Sequence, residues 1–257
     1  QRLDLYLQAD RPLTTIESGE MFELAKRRLD GIPVAYLLEQ KEFWSLNLKV
    51  FPGVLIPRPE TELLVEIALP AMIRMQENQQ GRRLRVVDYG TGTGAILLAI
   101  ASELENFDFL GVDLSSQALK TASINIDTHR QMLEKSKHRV FLVQGKGLES
   151  LGREQFVDIL ISNPPYIPKK DMKFLMPEVI DHDPVLALTD NADGLIFYRY
   201  LAKHFHSLVN PNGYMVLETG SREHSFKAIK IFCHYGYNAD LKKDYSGNHR
   251  VLIVQSK

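Results

Sequence analysis

The spacing of apolar side chains changes character near residue 84. Beyond it, short runs that are apolar almost throughout alternate with longer stretches whose apolar positions recur every three or four residues. The short runs are "LRVVDY", "FDFLGVD", "RVFLVQ", "FVDILIS", "GYMVLET" and "HRVLIVQ", with one more strand expected near "YNADLKKDY". The intervening "AILLAIASEL", "SSQALKTASINI", "GLIFYRYLAKHFHSLV" and "REHSFKAIKIFCHY" read as helices. A strand apolar on both faces is buried on both faces. The alternation therefore predicts an α/β fold: a doubly wound, seven-stranded, mostly parallel sheet between layers of helices. The last two strands are close enough in sequence to pair as an antiparallel hairpin.

The first part of the chain reads differently. In "GEMFELAKRRLDG", Met21, Phe22, Leu24 and Leu29 stand among charges and Gly31 supplies a stop, so residues 1–38 predict a small helical lobe. In "EFWSLNLKVFPGVLIPRPETE", Phe43, Leu46, Leu48 and Val50 include a short alternating segment and Pro52-Gly53 marks a turn. Residues 39–58 thus predict a β-hairpin linker, and 59–257 the α/β domain. A helix is expected from Pro59, with Glu60 and Glu62 in its first turn.

Two loops at strand ends carry the candidate chemistry. "VVDYGTGTGA" follows the first strand and opens a helix. Gly90, Gly92 and Gly94 permit positive φ and close approach of a ligand to the backbone, and the helix start offers free N–H groups to an anion. Asp113, ending the second strand, is placed to accept from both hydroxyls of a ribose. With Ala95 the loop also satisfies the loose dinucleotide pattern, so NAD and other adenosine cofactors both remain open on this motif.

The second loop is "ISNPPYIP", Ile161 to Pro168. Proline fixes φ and has no N–H, and it forces the residue before it out of the helical region. Asn163 must therefore be extended, at the carboxyl end of a buried strand where ligands bind in such sheets. The Asn163 side-chain carbonyl and the Pro164 carbonyl are two acceptors of restricted geometry, suited to the two hydrogens of a planar –NH2. Tyr166 can stack on a flat amide or base. An amide or exocyclic amine is a poor nucleophile because its lone pair is delocalised. Holding both hydrogens draws electron density onto nitrogen and aims it at a methyl donor.

Composition narrows the classes. The chain is 44% hydrophobic and 25% charged, with net charge −1 and a pI near 6.8. A broad nucleic-acid footprint needs a basic face, so direct nucleic-acid binding is not expected; "GRRLR" and "KSKHR" read as solvated edges. Cys233 is the only cysteine, so no intrachain disulfide exists and a reducing, cytoplasmic setting is expected. No apolar run approaches the ~18 residues of a membrane span. The eight histidines are scattered, with His204 and His206 on different faces of a predicted helix, and no metal is expected.

"GTGTG", then Asp113, then "NPPY" resembles the S-adenosylmethionine-dependent methyltransferases that modify planar nitrogens. A sharper likeness lies outside that domain. "RRLDGIPVAYLLEQKEFWSLNLKVFPGVLIPRPETELLVE", above all "EFWSL" and "LIPRPETE", with "NHRV" near the end, is similar to the HemK-type release factor glutamine methyltransferases over nearly the whole chain. The resemblance implies a Rossmann-like class I methyltransferase domain. It implies transfer of methyl from S-adenosylmethionine, leaving S-adenosylhomocysteine, to the N5 amide nitrogen of glutamine in the Gly-Gly-Gln motif of bacterial peptide chain release factors. It further implies a substrate-binding role for residues 1–38, helices ahead of Gln1 in the full protein, and a monomer. Carried over by position, Gly90, Thr91, Gly92, Thr93, Gly94, Asp113, Gly147 and Asn163 hold the cofactor, and Asn163, Pro164, Pro165 and Tyr166 hold the glutamine. Asn163, Pro164 and Tyr166 act in catalysis. Arg58 and Glu60 either brace the linker against the site or form a plain structural ion pair. Trp44 is expected to anchor the linker, and "DHDPVLAL" either shapes the substrate pocket or is simply a packed loop.

Two departures stand out. Where relatives often have glycine after "AYL", this chain has Leu38-Glu39-Gln40, a loop change. Where they usually have an acidic and then a bulky residue beside the adenine, it has Lys146 and Gly147. Lysine has no acceptor for the adenine amine, and glycine offers no stacking face; backbone groups, or Glu149 in a shifted register, are the alternatives. Other readings are a methyltransferase for an exocyclic base amine, which steep salt dependence of nucleic-acid binding would reveal, a silent module docking on a release factor, and a dehydrogenase, which NAD titration would reveal. The departure predicts weak cofactor binding: Lys146→Asp with Gly147→Trp should lower the Kd for S-adenosylmethionine in calorimetry, and an unchanged Kd removes the idea.

Overall fold

The computed structural model describes residues 6–78, 81–146 and 157–255. Helix α1 (Thr15–Leu29) starts with a capping box: the Thr14 hydroxyl accepts from the Glu17 N–H, and the Glu17 carboxylate accepts from the Thr14 N–H at 2.8 Å. None of its side chains is buried; Met21, Phe22 and Leu29, read from the sequence as an apolar helix face, are all exposed. A short helix α2 (Val34–Leu38) leads into β1 (Gln40–Phe43) and β2 (Leu46–Lys49), an antiparallel hairpin.

The hairpin turns at Trp44-Ser45, earlier than the Pro52-Gly53 turn that the sequence marks. Both turn residues have positive φ, +52° and +59°, as a two-residue hairpin turn requires. Neither residue favours that region, and the bulky Trp44 is unusual there. Partners outside the hairpin hold it: the Trp44 N–H donates to Glu62 Oε1 at 2.9 Å and its indole N–H to Glu103 Oε1 at 2.7 Å.

Pro59 opens a single 3₁₀ turn (Pro59–Thr61) rather than the helix itself; α3 (Glu62–Asn78) follows and runs through Pro70. The α/β domain then proceeds β3 (Arg85–Tyr89), α4 (Ala95–Glu103), β4 (Asp108–Asp113), α5 (Ser116–Thr128), α6 (Arg130–Lys135), β5 (Arg139–Gln144) and β6 (Val157–Ser162). After β6 come a 3₁₀ turn (Lys169–Phe174) and two short helices, α7 (Pro177–His182) and α8 (Val185–Leu188). The chain ends with α9 (Ile196–Leu208), β7 (Val209–Glu218), α10 (Arg222–His234), β8 (Asn238–Lys243) and β9 (His249–Gln255). The strand order is β5-β4-β3-β6-β7-β9-β8, parallel from β5 to β7, with β9 antiparallel to both β7 and β8. The seven strands, the parallel core and the final hairpin match the apolar pattern. Val86 and Val87 point to opposite faces of the sheet, one into a layer with Leu64, Leu97 and Phe107, the other into a layer with Tyr198, Phe205 and Phe232.

The basic clusters are more than solvated edges. Arg82 donates twice to Asp158, a carboxylate only 1% exposed near the start of β6. His138 Nε2 lies 3.1 and 2.9 Å from the carbonyls of Ala101 and Leu104, and its Nδ1 accepts from the Phe107 N–H, so it closes the carboxyl end of α4.

Asn125, fully buried on α5, joins the linker to the domain. Its Nδ2 donates to the carbonyls of Lys49 and Thr93 at 3.0 and 2.9 Å, and its Oδ1 accepts from the Lys49 N–H at 2.7 Å. Removing the amide leaves the buried Thr93 carbonyl and the two part-buried backbone groups of Lys49 without this partner, at about 1–3 kcal/mol for a buried group and less for the others. Asn125→Ala should thus lower the unfolding free energy by about 2–4 kcal/mol in a denaturant titration.

Candidate active site

The glycine loop leaves β3 at Tyr89 and folds back at once. The N–H groups of Gly90 and Thr91 both donate to the Val112 carbonyl, at 2.8 and 3.0 Å, tying the loop to β4. Gly90, Gly92 and Gly94 have φ of +77°, +57° and +78°. A Cβ at Gly90 or Gly92 would project into open space, so conformation, not crowding by the protein, calls for glycine there. The Thr91 hydroxyl donates to Asp88 at 2.7 Å. Asp88 is buried, and burial pushes its carboxyl up to about 7. Asp113 binds the loop directly: Oδ2 accepts from the Gly92 N–H and Oδ1 from the Ser115 N–H, each at 2.9 Å. Burial raises its pKa, while those amide bonds work in the opposite direction. Two bonds leave a carboxylate with further lone pairs to offer.

On the neighbouring strand, β6 ends at Ser162, whose hydroxyl donates to the Tyr89 carbonyl at 2.5 Å. This bond sets the start of the Asn-Pro-Pro-Tyr loop beside the start of the glycine loop. One cavity of roughly 720 Å³ runs between them. Gly90 to Thr93 and Asp113 lie along its wall together with Asn163, Pro164 and Pro165. Arg58 at the end of the linker, Thr61 in the 3₁₀ turn that follows and Leu186 after the loop also line it. Its size suits a small-molecule cofactor with room for part of a second ligand. The Gly94 carbon backs onto Ala122 instead, where a Cβ would sit 3.5 Å from the alanine methyl.

Tyr166 takes a different position from the other loop residues. It is not among the described residues lining that cavity. Its hydroxyl donates to Glu218 Oε1 at 3.1 Å, and its ring packs against His224, centroids 5.9 Å apart. His224 accepts from the Gly220 N–H through Nδ1, and its Nε2 donates to the Gly194 carbonyl at 2.8 Å. Burial lowers its pKa, and a ring that accepts at Nδ1 is the neutral form. Gly194 packs against the loop so closely that a Cβ there would stand 2.2 Å from the Tyr166 carbonyl oxygen.

Two contributors, Glu218 and Thr61, lay outside the sequence reading, and a third residue has another partner than expected. Glu218, at the end of β7, is 1% exposed and accepts from Thr61 Oγ1 at 2.7 Å as well as from Tyr166. Thr61 in turn accepts from Asn163 Nδ2 at 3.1 Å. Arg58 pairs with Asp183, not with Glu60. The only sequence signal for Glu218 was a lone acid ending an apolar strand, and for Thr61 its place within "LIPRPETE". Lys146 meets the cavity with its backbone anchored: its carbonyl accepts from the Tyr89 hydroxyl at 2.8 Å. Gly147 and Glu149 lie outside the described residues.

The glycine cradle, the acid at the end of β4 and the shared cavity fit an adenosine cofactor with a second ligand at Asn163. A methyltransferase domain model matches residues 80–243, more than half of the chain, and a PrmC N-terminal domain model matches residues 1–38. The release factor glutamine methyltransferase of Coxiella burnetii is 35% identical over 99% of this chain and 86% of its own length. That of Haemophilus influenzae is 38% identical over 90% and 78%. The chain belongs to the release factor glutamine methyltransferase family. Among solved structures, a Pyrococcus furiosus methyltransferase superposes with a TM-score of 0.56 at 16% identity, covering 90% of this chain and 96% of that one. A T. thermophilus 16S rRNA methyltransferase, in complex with AdoMet and guanosine, superposes at 0.55 and 17% identity, covering 85% and 50%. At these identities the likeness is one of fold.

Burial pushes the Glu218 carboxyl up to about 7, against the hydrogen bonds from Thr61 and Tyr166. In the unfolded chain it titrates near 4.5, so the native state keeps a proton that the unfolded chain has lost. The stabilisation is complete below the unfolded value and disappears as pH rises through the folded one. Relative to Glu218→Gln, the wild-type unfolding free energy should fall by about 2–3 kcal/mol between about pH 5 and about pH 8 in denaturant titrations. Asp88 titrates in both proteins and cancels from the difference.

Proposed function

We propose that this protein methylates the side-chain amide nitrogen of the glutamine in the Gly-Gly-Gln motif of bacterial peptide chain release factors, with S-adenosylmethionine as donor. The observation that carries the reading is the single cavity bounded by the glycine loop on one side and by Asn163 and Pro164 on the other, in a chain of this family. When bound, S-adenosylmethionine supplies a methyl group activated on a cationic sulfur. The Gly90–Gly94 backbone and Asp113 would hold it, together with the backbone near Lys146.

The chain's own work is to position the acceptor. Asn163 Oδ1 and the Pro164 carbonyl accept the two amide hydrogens, which fixes the plane of the –NH2 and directs its nitrogen toward the donor. The Pro164 carbonyl cannot rotate far, because the prolines fix the backbone on one side and Ser162 holds it on the other, and the Asn163 amide is held by its bond to Thr61. Such placement supplies much of a barrier reduction without a strong base. Pro165 completes the wall, and Tyr166 fixes the loop from behind by its bond to Glu218. In this reading residues 1–38 contribute to binding the protein substrate, 39–58 connect them, and 59–257 carry the chemistry. The enzyme works as a cytoplasmic monomer, contacts no nucleic acid directly, and needs no metal. No helix among the described residues is long and apolar enough to cross a membrane.

Mass spectrometry on an unmethylated release factor incubated with this protein and S-adenosylmethionine tests the reading. One added methyl group on the Gly-Gly-Gln peptide, located on glutamine by fragmentation, is expected. Asn163→Ala should reduce turnover by about 100-fold or more with cofactor affinity nearly unchanged. No methyl gain with cofactor binding intact would move the acceptor to another planar amine, a nucleic-acid base included.

A further inference from the structure

We infer that Thr61 and Glu218 act together as positioning residues that set which way the Asn163 amide faces. The inference rests on the reading of Asn163 given above. A threonine hydroxyl has one hydrogen to give. Thr61 Oγ1 lies 2.7 Å from Glu218 Oε2 and 3.1 Å from the Asn163 amide. When Glu218 is ionised its carboxylate only accepts, so in that form the Thr61 hydrogen goes to Glu218. The hydroxyl is then left with lone pairs toward Asn163, and Asn163 must turn its NH2 to Thr61. That leaves Oδ1, the acceptor, for the cavity.

The second bond on Glu218 has the same polarity. The Tyr166 hydroxyl gives its hydrogen to Oε1 at 3.1 Å, so the carboxylate receives on both oxygens. Glu218 and Thr61 are 1% and 5% exposed, which keeps water from supplying a competing donor. Without the relay, an asparagine amide is free to turn over. The flipped form presents NH2 hydrogens to substrate NH2 hydrogens, a donor facing a donor. The 3₁₀ turn after the linker thereby takes part in the chemistry through Thr61, and β7 through Glu218, although neither side chain need touch the substrate.

Thr61→Val and Thr61→Ser separate this role from packing. Valine keeps the shape and loses the hydroxyl; serine keeps the hydroxyl and loses the methyl. Thr61→Val should lower kcat for release factor methylation by about 10- to 100-fold, with S-adenosylmethionine affinity by calorimetry within a few-fold of wild type. Thr61→Ser should stay within a few-fold in both. If Thr61→Val does not fold, Thr61→Ala takes its place in the same comparison. Wild-type kcat in the hydroxyl-free variant, or equal losses in it and in Thr61→Ser, overturns the inference while Asn163→Ala remains impaired. Unimpaired Asn163→Ala would instead overturn the underlying reading of Asn163.

Discussion

Every side chain of β6 is buried, and the rest of the molecule is arranged around that constraint. The strand lies between β3 and β7, with helices over both faces. Its one charged residue, Asp158, cannot remain unsatisfied in such a place. It receives two bonds from Arg82, one from the Arg85 N–H and one from Asn210. Those four bonds bring the starts of three neighbouring strands into register. At the other end Ser162 reaches across to Tyr89, and the chain then leaves the sheet through two prolines. Prolines have no N–H to satisfy, so a buried strand can stop on them without an orphaned donor.

The site is completed by parts of the chain far apart in sequence. The hairpin is held by Asn125 under the glycine loop and by Trp44 against Glu62 and Glu103. Arg58 reaches Asp183 beyond the Asn-Pro-Pro-Tyr loop. Tyr36 donates to the buried Val54 carbonyl and holds the segment between them. These are hydrogen bonds with defined partners, so the linker has one seat against the α/β domain. Its Arg58, and Thr61 in the turn just beyond it, can therefore form part of the cavity wall.

Two buried carboxyls flank the cavity, and both are met by hydroxyls: Asp88 by Thr91, and Glu218 by Thr61 and Tyr166. Burial raises both toward neutrality. A salt bridge would have neutralised either one without regard to hydrogen-bond direction. A hydroxyl transmits direction, because it has a single proton to give. At Glu218 this ties the protonation of a buried acid to the orientation of groups that face the cavity.

The seven strands, their mostly parallel order and the places of Gly90 to Gly94, Asp113 and Asn163 were legible in the sequence because each depends on local physics. Fully buried strands read as apolar runs, tight ligand loops require glycine, and Asn-Pro-Pro admits few backbone shapes. The hairpin was legible too, but not its turn, because Trp44-Ser45 lacks the usual residues for positive φ and is held there by Glu62 and Glu103. Arg58 was legible as a brace, but its partner Asp183 is distant in sequence. Tyr166 read as a stacking face, yet its ring lies against His224 and its hydroxyl on Glu218, contacts that exist only after β7 and α10 pack behind the loop. A lone acid at a strand end carries no local signal. Only the sheet order, with β7 beside β6 and the Pro59–Thr61 turn against their ends, brings Glu218 within reach of Thr61 and, through it, Asn163.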